Sequence, residues 1–186
     1  LPLIWHNAPP VVRYVLLAGC RGVEAWSLRW EQIDTKRRTV TYPRSKTRDF
    51  ETVLPLCDEQ VQILAEAGTG SEWCFPAPPD RSAKQHYTRD LIRHDLDRIE
   101  ALCGVRHFSL HDFRRQFIRV AEYDVGCPEA VAAELTMHVV GGSAHALYRG
   151  RPPLHVLREW HQKITRKLLE LCHADATDYW EGRDDA

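Results

Sequence analysis

The sequence predicts an α+β fold that is mostly helical, with a small three-stranded antiparallel sheet packed on helices. Three observations predict it. Apolar side chains recur at helical spacing over most of the 186 residues. A stretch near 30–55 instead carries short β-prone runs separated by polar turns. At 44% apolar and 27% charged residues, the chain can bury one sizeable core and is unlike a disordered protein or a disulfide scaffold.

The first third of the chain is predicted to contain two helices followed by the sheet. An apolar helical stripe over residues 10–20 ends near Gly19, and a second helical stretch runs from Val23 to Trp30. Short polar turns between the β-prone runs predict antiparallel pairing. The three strands are expected near 30–34, 39–43 and 50–55.

The rest of the chain is predicted to be helical. Asp58 is a good N-cap for a helix that ends at Gly68, and Ser109 is a candidate cap for a helix over 109–125. Between them, apolar residues at helical spacing predict a long helix over 82–103. Three more helices are expected at about 128–137, 143–149 and 154–172.

The length predicts one domain, over residues 1–172, followed by an acidic, flexible tail over 173–186. The formal net charge of -1, from 25 basic and 26 acidic residues, sums a modestly basic body and this tail. It argues against a protein that grips nucleic acid by bulk charge, but it is compatible with a local site. No apolar run approaches the ~18 residues that span a bilayer, so no membrane partner is expected.

Metal chemistry finds little support in the sequence. The six cysteines occur singly, with no C-x-x-C pair, and most are expected to be small buried residues of a reduced protein. His107 and His111 lie four residues apart without an H-E-x-x-H pattern. A His-rich metal hydrolase is therefore a poor fit.

Six residues in a fixed order along the chain carry the functional prediction. They are Arg21 in Ala18-Gly19-Cys20-Arg21-Gly22-Val23-Glu24, Lys46 in Ser45-Lys46-Thr47, His111 and Arg114 in His111-Asp112-Phe113-Arg114, His138, and Tyr148. The set resembles the tyrosine recombinase family (phage integrases), whose pattern is G-x-R-x-x-E, a hairpin Lys, H-x-x-R, a His or Trp, and a Tyr. The resemblance covers roughly residues 10–150 and implies the catalytic fold of that family.

The resemblance implies a site-specific DNA recombinase that cuts and rejoins double-stranded DNA without metal or ATP. Tyr148 would attack the scissile phosphate, form a 3′-phosphotyrosyl link and release a 5′-hydroxyl. Arg21 and Arg114 would hold the phosphate, because a planar guanidinium binds two of its oxygens and stays protonated. Lys46 would donate a proton to the leaving 5′-oxygen.

The two histidines of the set receive their roles from the same resemblance. His111 would assist proton transfer at the tyrosine or hold the phosphate, and His138 would donate a hydrogen bond to a non-bridging oxygen. His138 departs from the family's Leu-Gly-His, because it stands in Leu135-Thr136-Met137-His138, ten residues before Tyr148 rather than nine. His145 is a competing candidate for this role.

Neighbouring residues are predicted to support the set. Glu24 is expected to orient Arg21 or to cap, and Asp112 is expected to cap its helix. Arg114 borders the apolar stripe of that helix whereas Arg115 lies further round, so Arg114 is favoured as the catalytic arginine.

Contacts to the DNA backbone are predicted from basic residues beside this set. Two flank Lys46 on the hairpin, three lie near the start of the helix over 82–103, and one follows Arg114. These are Arg44, Arg48, Arg81, Lys84, Arg89 and Arg115. Within 93–100, acidic and basic residues interleave, so ion pairs on a solvated helix face are expected there.

The resemblance also implies partners. The expected partner is a double-stranded DNA recombination site, with self-association into a tetramer on DNA from a free monomer, and an accessory DNA-bending protein is a further candidate. The helix over 154–172 would either pass to a neighbouring subunit or pack on its own core. An N-terminal DNA-clamping domain is expected to be absent from this chain. The expected location is cytoplasmic, on the bacterial nucleoid during the reaction.

Two alternatives share the fold. A type IB topoisomerase-like strand transferase uses nearly the same chemistry, but the compact size and the integrase-like hairpin favour recombination. A catalytically impaired DNA-binding or assembly module is suggested only by the shifted His138 segment. The other five residues of the set argue against it.

Overall fold

The computed structural model describes residues 1–45, 48–68, 70–81, 85–138 and 150–174. In chain order the elements are α1 (Pro2–Asn7), α2 (Pro10–Ala18), α3 (Gly22–Trp26), β1 (Ile33–Asp34), β2 (Thr39–Tyr42), β3 (Thr52–Pro55), α4 (Asp58–Ala67), α5 (Arg89–Cys103), α6 (Leu110–Arg119), α7 (Glu129–Leu135) and α8 (Leu154–His173). A 3-10 turn (Trp30–Gln32) precedes β1, and a π-turn (Val120–Asp124) follows α6. The predicted α+β fold, mostly helical with a small sheet, is confirmed.

The strands form one antiparallel sheet in the order β1-β2-β3. At the loop end of the β2–β3 hairpin, Tyr42 faces Thr52. Lys46 follows in the connection between the two strands and lies outside the described residues. Ser45 and Arg48, on either side of residues 46–47, are joined by backbone hydrogen bonds of 2.9 and 3.1 Å. An isolated antiparallel bridge therefore joins the two residues that flank Lys46 and Thr47, beyond the end of the strand pairing.

Helix α2 lies at the centre of the core. Pro10 suits its first turn, and Gly19 ends it in the left-handed conformation with a φ of 60°. Tyr14 and Leu17 are fully buried, and the helix packs against α4 and α6. A Cβ on Gly19 would lie 2.7 Å from the ring of Phe117 on α6. The end of α2 and the middle of α6 are thus held in close contact.

Helix α8 packs on the core of its own chain. Ile164 and Leu168 are fully buried, and the helix contacts β3, α7 and the π-turn. The buried ring of His161 lies with Nε2 2.8 Å from the carbonyl oxygen of Leu17 and Nδ1 3.1 Å from that of Pro55. Of the two placements that the sequence leaves open, packing within the chain is the one seen in this structure.

Two differences from the sequence prediction concern helix starts. Helix α1 is not among the predicted elements, because six residues opening on a proline show no apolar period. Helix α5 begins at Arg89 rather than near 82. Its N-cap is Thr88, whose hydroxyl accepts from the N–H of Leu91 at 3.4 Å. Just before it, His86 pairs with Pro76 in an extended bridge.

Other boundaries differ by smaller amounts. Helix α4 begins where predicted, but its N-cap is Cys57, whose N–H donates to the Gln60 side chain at 3.0 Å. Asp58 is the first helical residue and pairs with Arg38. The helix predicted over 109–125 ends as an α-helix at Arg119 and continues as the π-turn. The predicted helix over 143–149 and residues 175–186 of the predicted tail lie outside the described residues.

The chemistry of the described part is simple. None of its helices combines the length and the apolar character needed to cross a bilayer. All six cysteines are free and five are buried, and burial raises the pKa of Cys20 and Cys74 to about 12. Within the same residues, no three His, Cys, Asp or Glu side chains come together as metal ligands.

Candidate active site

Arg21 lies at the N-cap position of α3 and is held by Glu24. Its backbone N–H donates to Glu24 Oε2 at 2.7 Å, and its Nη1 lies 3.4 Å from Oε1. The side chain of Arg21 is 38% exposed, whereas that of Glu24 is 12% exposed. The carboxylate therefore caps the helix and orients the guanidinium, leaving the guanidinium accessible.

Arg114 is the buried centre of the site. It lies on the core-facing side of α6 with 4% of its surface exposed. Its Nη1 donates to the carbonyl oxygen of Gly19 at 2.9 Å and to that of Thr136 at 2.5 Å. Gly19 precedes Arg21 by two residues, and Thr136 precedes His138 by two. One guanidinium thus connects the three segments that carry Arg21, Arg114 and His138.

The surroundings of Arg114 disfavour its positive charge. Burial lowers the pKa of this guanidinium, and the positive charge of Arg21 lowers it further. Glu24 acts in the opposite direction but more weakly than Arg21. An anion between the two guanidiniums would relieve this repulsion, so the arrangement suits a phosphate.

The first turn of α6 is fixed by a capping box. The N–H and the hydroxyl of Ser109 each donate to Asp112 Oδ2 at 2.8 Å, which confirms the cap predicted from the sequence. His111 is exposed in this turn, three residues before Arg114. Arg115 points outward and pairs with Asp112 at 3.1 Å. The predicted distinction between a buried Arg114 and an outer Arg115 therefore holds in the structure.

His138 is exposed just past the end of α7. Its backbone N–H donates to the carbonyl of Ala133 at 2.8 Å, and Met137 before it has a φ of 52°. The left-handed residue turns the chain away from the helix axis. Tyr148 and the competing His145 lie in 139–149, outside the described residues, as do Lys46 and Lys84. Their placements stay predictions.

The predicted DNA contacts divide into two groups. Arg44 on the hairpin and Arg89 at the start of α5 are exposed, in positions where a phosphate can reach them. Arg115 is exposed too, although Asp112 engages it. Ion pairs of Arg93 with Asp97 and Glu100 match the prediction for the face over 93–100.

Arg48 and Arg81 are placed differently from the predicted phosphate contacts. The side chain of Arg48 is 3% exposed and lies 3.5 Å from Glu24, while its Nη2 donates to the carbonyl of Pro43 at 2.7 Å. Arg81 pairs with buried Asp95 at 2.8 Å. The guanidinium of Arg48 is thus engaged inside the protein, and that of Arg81, which is 28% exposed, has a carboxylate partner in this structure.

Sequence reasoning missed the groups that hold the arginines. Carbonyl oxygens of Gly19 and Thr136 carry no residue-specific signal. The role of Arg48 could not be predicted because its carboxylate partner is Glu24 on another element, although Asp49 is adjacent to it in sequence. The sequence offers only one indication that Arg48 supports the hairpin, which is its place two residues after Lys46.

Related proteins identify the family. Residues 8–139 match the sequence model of the phage integrase family. Prophage integrase IntF of Escherichia coli (strain K12) is 31% identical over 170 residues, which are 87% of this chain and 34% of that protein. The chain thus spans a minor part of the length of this curated relative.

Solved structures share the fold at low sequence identity. The integrase from mycobacterium phage Brujita has a TM-score of 0.63 at 21% identity, over 93% of this chain and 60% of that one. The XerH site-specific recombinase bound to difH substrate, in a pre-cleavage complex, has a TM-score of 0.56 at 15% identity, over 75% of this chain and 41% of that one. The resemblance predicted from the motif residues is confirmed, and this chain belongs to the phage integrase family.

Proposed function

We propose that this chain is the catalytic part of a tyrosine-type site-specific recombinase that cuts and rejoins double-stranded DNA. The observation that carries the proposal is that buried Arg114 donates to the carbonyl of Gly19 at 2.9 Å, two residues before Arg21, so that two arginines belong to one site; the charge of Arg21 lowers the pKa of Arg114. The guanidiniums of Arg21 and Arg48 share the carboxylate of Glu24, whereas Arg114 donates to neutral backbone carbonyls. The excess positive charge favours a phosphate as the substrate group.

The proposed cleavage step is a phosphoryl transfer to tyrosine. The phenolic oxygen of Tyr148 bonds to phosphorus while the bond from phosphorus to the 5′-oxygen breaks. His111 assists removal of the phenolic proton, and Lys46 gives a proton to the leaving 5′-oxygen. The products are a 3′-phosphotyrosyl link and a 5′-hydroxyl. Attack by a 5′-hydroxyl of another strand reverses the step and rejoins the DNA.

The fixed cations would act mainly on the transition state. Negative charge increases on the phosphate oxygens as the fifth bond forms, and preorganised donors stabilise that charge without reorganising. Arg21 and Arg114 supply such donors from two different helices. His138 adds a hydrogen bond to a non-bridging oxygen. No step of this scheme calls for a metal ion or ATP.

The proposed partner is a DNA recombination site, on which several copies of the protein assemble into a tetramer. The XerH structure is of a recombinase bound to its difH substrate, which supports a DNA partner for this family member. Arg44, Lys84, Arg89 and Arg115 would contact the DNA backbone. An accessory DNA-bending protein and the bacterial nucleoid belong to the same proposal.

A suicide-substrate assay tests the proposed function. The purified protein is incubated with a nicked duplex that contains the recombination site of its mobile element, with a chelator present. We expect a covalent protein–DNA adduct that survives denaturation, and none with Tyr148→Phe. Failure of the wild-type protein to form an adduct, or an unchanged adduct with Tyr148→Phe, would contradict the proposal.

The same reagents separate the two alternatives. Relaxation of supercoiled plasmid that lacks the site, at the rate seen with the site, would indicate a topoisomerase-like enzyme. Site-specific DNA binding with no adduct at any time would indicate an impaired binding module. A recombinase joins two site-bearing duplexes and shows little relaxation without them.

A further inference from the structure

A buried arginine, Arg48, lies in the β2–β3 hairpin two residues after Lys46. The side chain of Arg48 is 3% exposed. Burying a guanidinium is costly unless its donors are satisfied, so its partners indicate what it does. Nη2 donates to the carbonyl of Pro43 at 2.7 Å, and Nε donates to the carbonyl of Phe50 at 3.3 Å. Pro43 and Phe50 lie on opposite arms of the hairpin, so this side chain ties the two arms together.

The same guanidinium connects the hairpin to the site of Arg21. Nη1 of Arg48 lies 3.5 Å from Oε1 of Glu24, the atom that also lies 3.4 Å from Nη1 of Arg21. Glu24 is 12% exposed. Its charge is therefore poorly screened by water, which strengthens both attractions. A single carboxylate thus links the α2–α3 junction to the β2–β3 hairpin.

We propose that Arg48 is a positioning residue for the cleavage step, which fixes the hairpin arms on either side of Lys46 relative to Arg21 through Glu24. The inference rests on the proposed function, in which Arg21 holds the phosphate and Lys46 protonates the leaving oxygen. These two groups belong to different elements. Both side chains have to lie within hydrogen-bond reach of the same phosphate. A misplacement of about 1 Å can slow the reaction about 100-fold.

The geometry predicts which part of catalysis Arg48 affects. When Arg48 is replaced, Glu24 still accepts from the backbone N–H of Arg21 at 2.7 Å, so the phosphate-binding arginine keeps its main restraint. The hairpin loses the links from one arm to the other and to Glu24. Replacing Arg48 should therefore impair proton donation to the leaving oxygen more than it impairs phosphate binding.

A substrate with sulfur in place of the leaving 5′-oxygen separates these effects. In this 5′-bridging phosphorothiolate, attack by tyrosine breaks the bond from phosphorus to sulfur and the sulfur leaves as a thiolate. A thiolate is stable without a proton, so a defect in the proton donor no longer limits cleavage. We expect Arg48→Met to cleave the oxygen substrate about 10- to 100-fold more slowly than wild type and the sulfur substrate at nearly the wild-type rate.

Matched variants complete the experiment, which measures single-turnover adduct formation and the Kd for the duplex. Lys46→Ala should show the same rescue by sulfur, and Arg21→Ala should not. Arg48→Lys keeps the charge but cannot reach both carbonyls and Glu24, so its rate should be intermediate. Arg37→Met is the control for loss of an arginine, because this residue is 84% exposed on the β1–β2 turn. It should behave as wild type.

Defined results would overturn the inference. These are a wild-type rate for Arg48→Met on the oxygen substrate, an equal defect on the sulfur substrate, or a loss of rate explained by a raised Kd. If Arg48→Met does not fold, as judged by circular dichroism, Arg48→Lys carries the same comparison. Failure of the wild-type protein to cleave either substrate would instead contradict the proposed function.

Discussion

Substituting Gly19 by alanine tests the packing on which the candidate site depends. Gly19 has a φ of 60°, and an added Cβ would lie 2.7 Å from both Cγ and Cδ1 of Phe117. Its carbonyl oxygen also accepts from Arg114 at 2.9 Å. The substitution therefore strains the backbone, forces α2 and α6 apart and displaces an acceptor of the buried guanidinium.

Two separable terms give the expected magnitude. A non-glycine residue in the left-handed region costs about 1–2 kcal/mol. Inserting a methyl group into a packed contact costs about 1–3 kcal/mol. The free energy of unfolding of Gly19→Ala should therefore fall by about 2–5 kcal/mol. Gly104→Ala is the matched control, because its φ is 67° and no atom lies within 4 Å of the added Cβ. Gly104→Ala should therefore lose only the backbone term, about 1–2 kcal/mol.

Urea unfolding of the two variants measures this difference. Replacing Phe117 by leucine removes part of the ring that the new methyl group would meet. The double variant Gly19→Ala/Phe117→Leu should therefore regain part of the free energy of unfolding that Gly19→Ala loses. Adduct formation is measured at a temperature where the variants are folded, and Gly19→Ala should be slower than Gly104→Ala because Arg114 has moved. Equal destabilisation by the two alanines, within about 0.5 kcal/mol, would refute the packing argument.

Three further predictions follow from single contacts. Arg114→Lys keeps a charge but not the planar fork, so single-turnover cleavage should slow by about 100- to 1000-fold while the Kd for DNA changes little; a loss confined to Kd would argue against a transition-state role. Burial lowers the pKa of His161 below its ordinary 6.5. The unfolded chain then takes up a proton that the folded one does not, so stability should fall as pH drops below about 6.5 and be retained above it. His161→Gln should reduce this slope in urea unfolding, and an unchanged slope would contradict the assignment. Phe50→Ala should cost about 0.5–1 kcal/mol more than Val53→Ala in urea unfolding, because the guanidinium of Arg151 lies 3.7 Å from the Phe50 ring centroid; equal costs would exclude a stabilising stack.

Local signals explain what the sequence predicted well. Helix α6 was predictable because Ser109 and Asp112 form a capping box before an apolar stripe. The same stripe identified Arg114 as the inner arginine. The start of α5 was not predictable, because Tyr87 continues the apolar spacing although it belongs to the loop before the helix, where it is buried. Periodicity alone cannot tell a helical residue from a loop residue that happens to face the core.

The partners of charged side chains were harder to predict, because they depend on distant elements. Arg81 reaches Asp95 on α5, and Arg48 reaches Glu24 on α3. Both arginines occur beside turns, where exposed cations are common, so the sequence favoured contacts with DNA. Burial of Arg48 and the ion pair of Arg81 with Asp95 instead give both arginines a partner in the protein. A cation removed from water needs an acceptor in the protein, and only the tertiary structure shows which one.

The way in which each arginine is satisfied indicates which of them can act on a phosphate. Arg81 is neutralised by the carboxylate of buried Asp95, so little of its field remains for a ligand. Arg114 is instead held by the neutral carbonyls of Gly19 and Thr136, which accept from its Nη1 without cancelling its charge. Beside Arg21 that uncancelled charge is unfavourable until an anion arrives. The attraction grows as a phosphodiester gains negative charge in the transition state, so we expect this arrangement to stabilise the transition state more than the bound substrate, as the proposed catalysis requires.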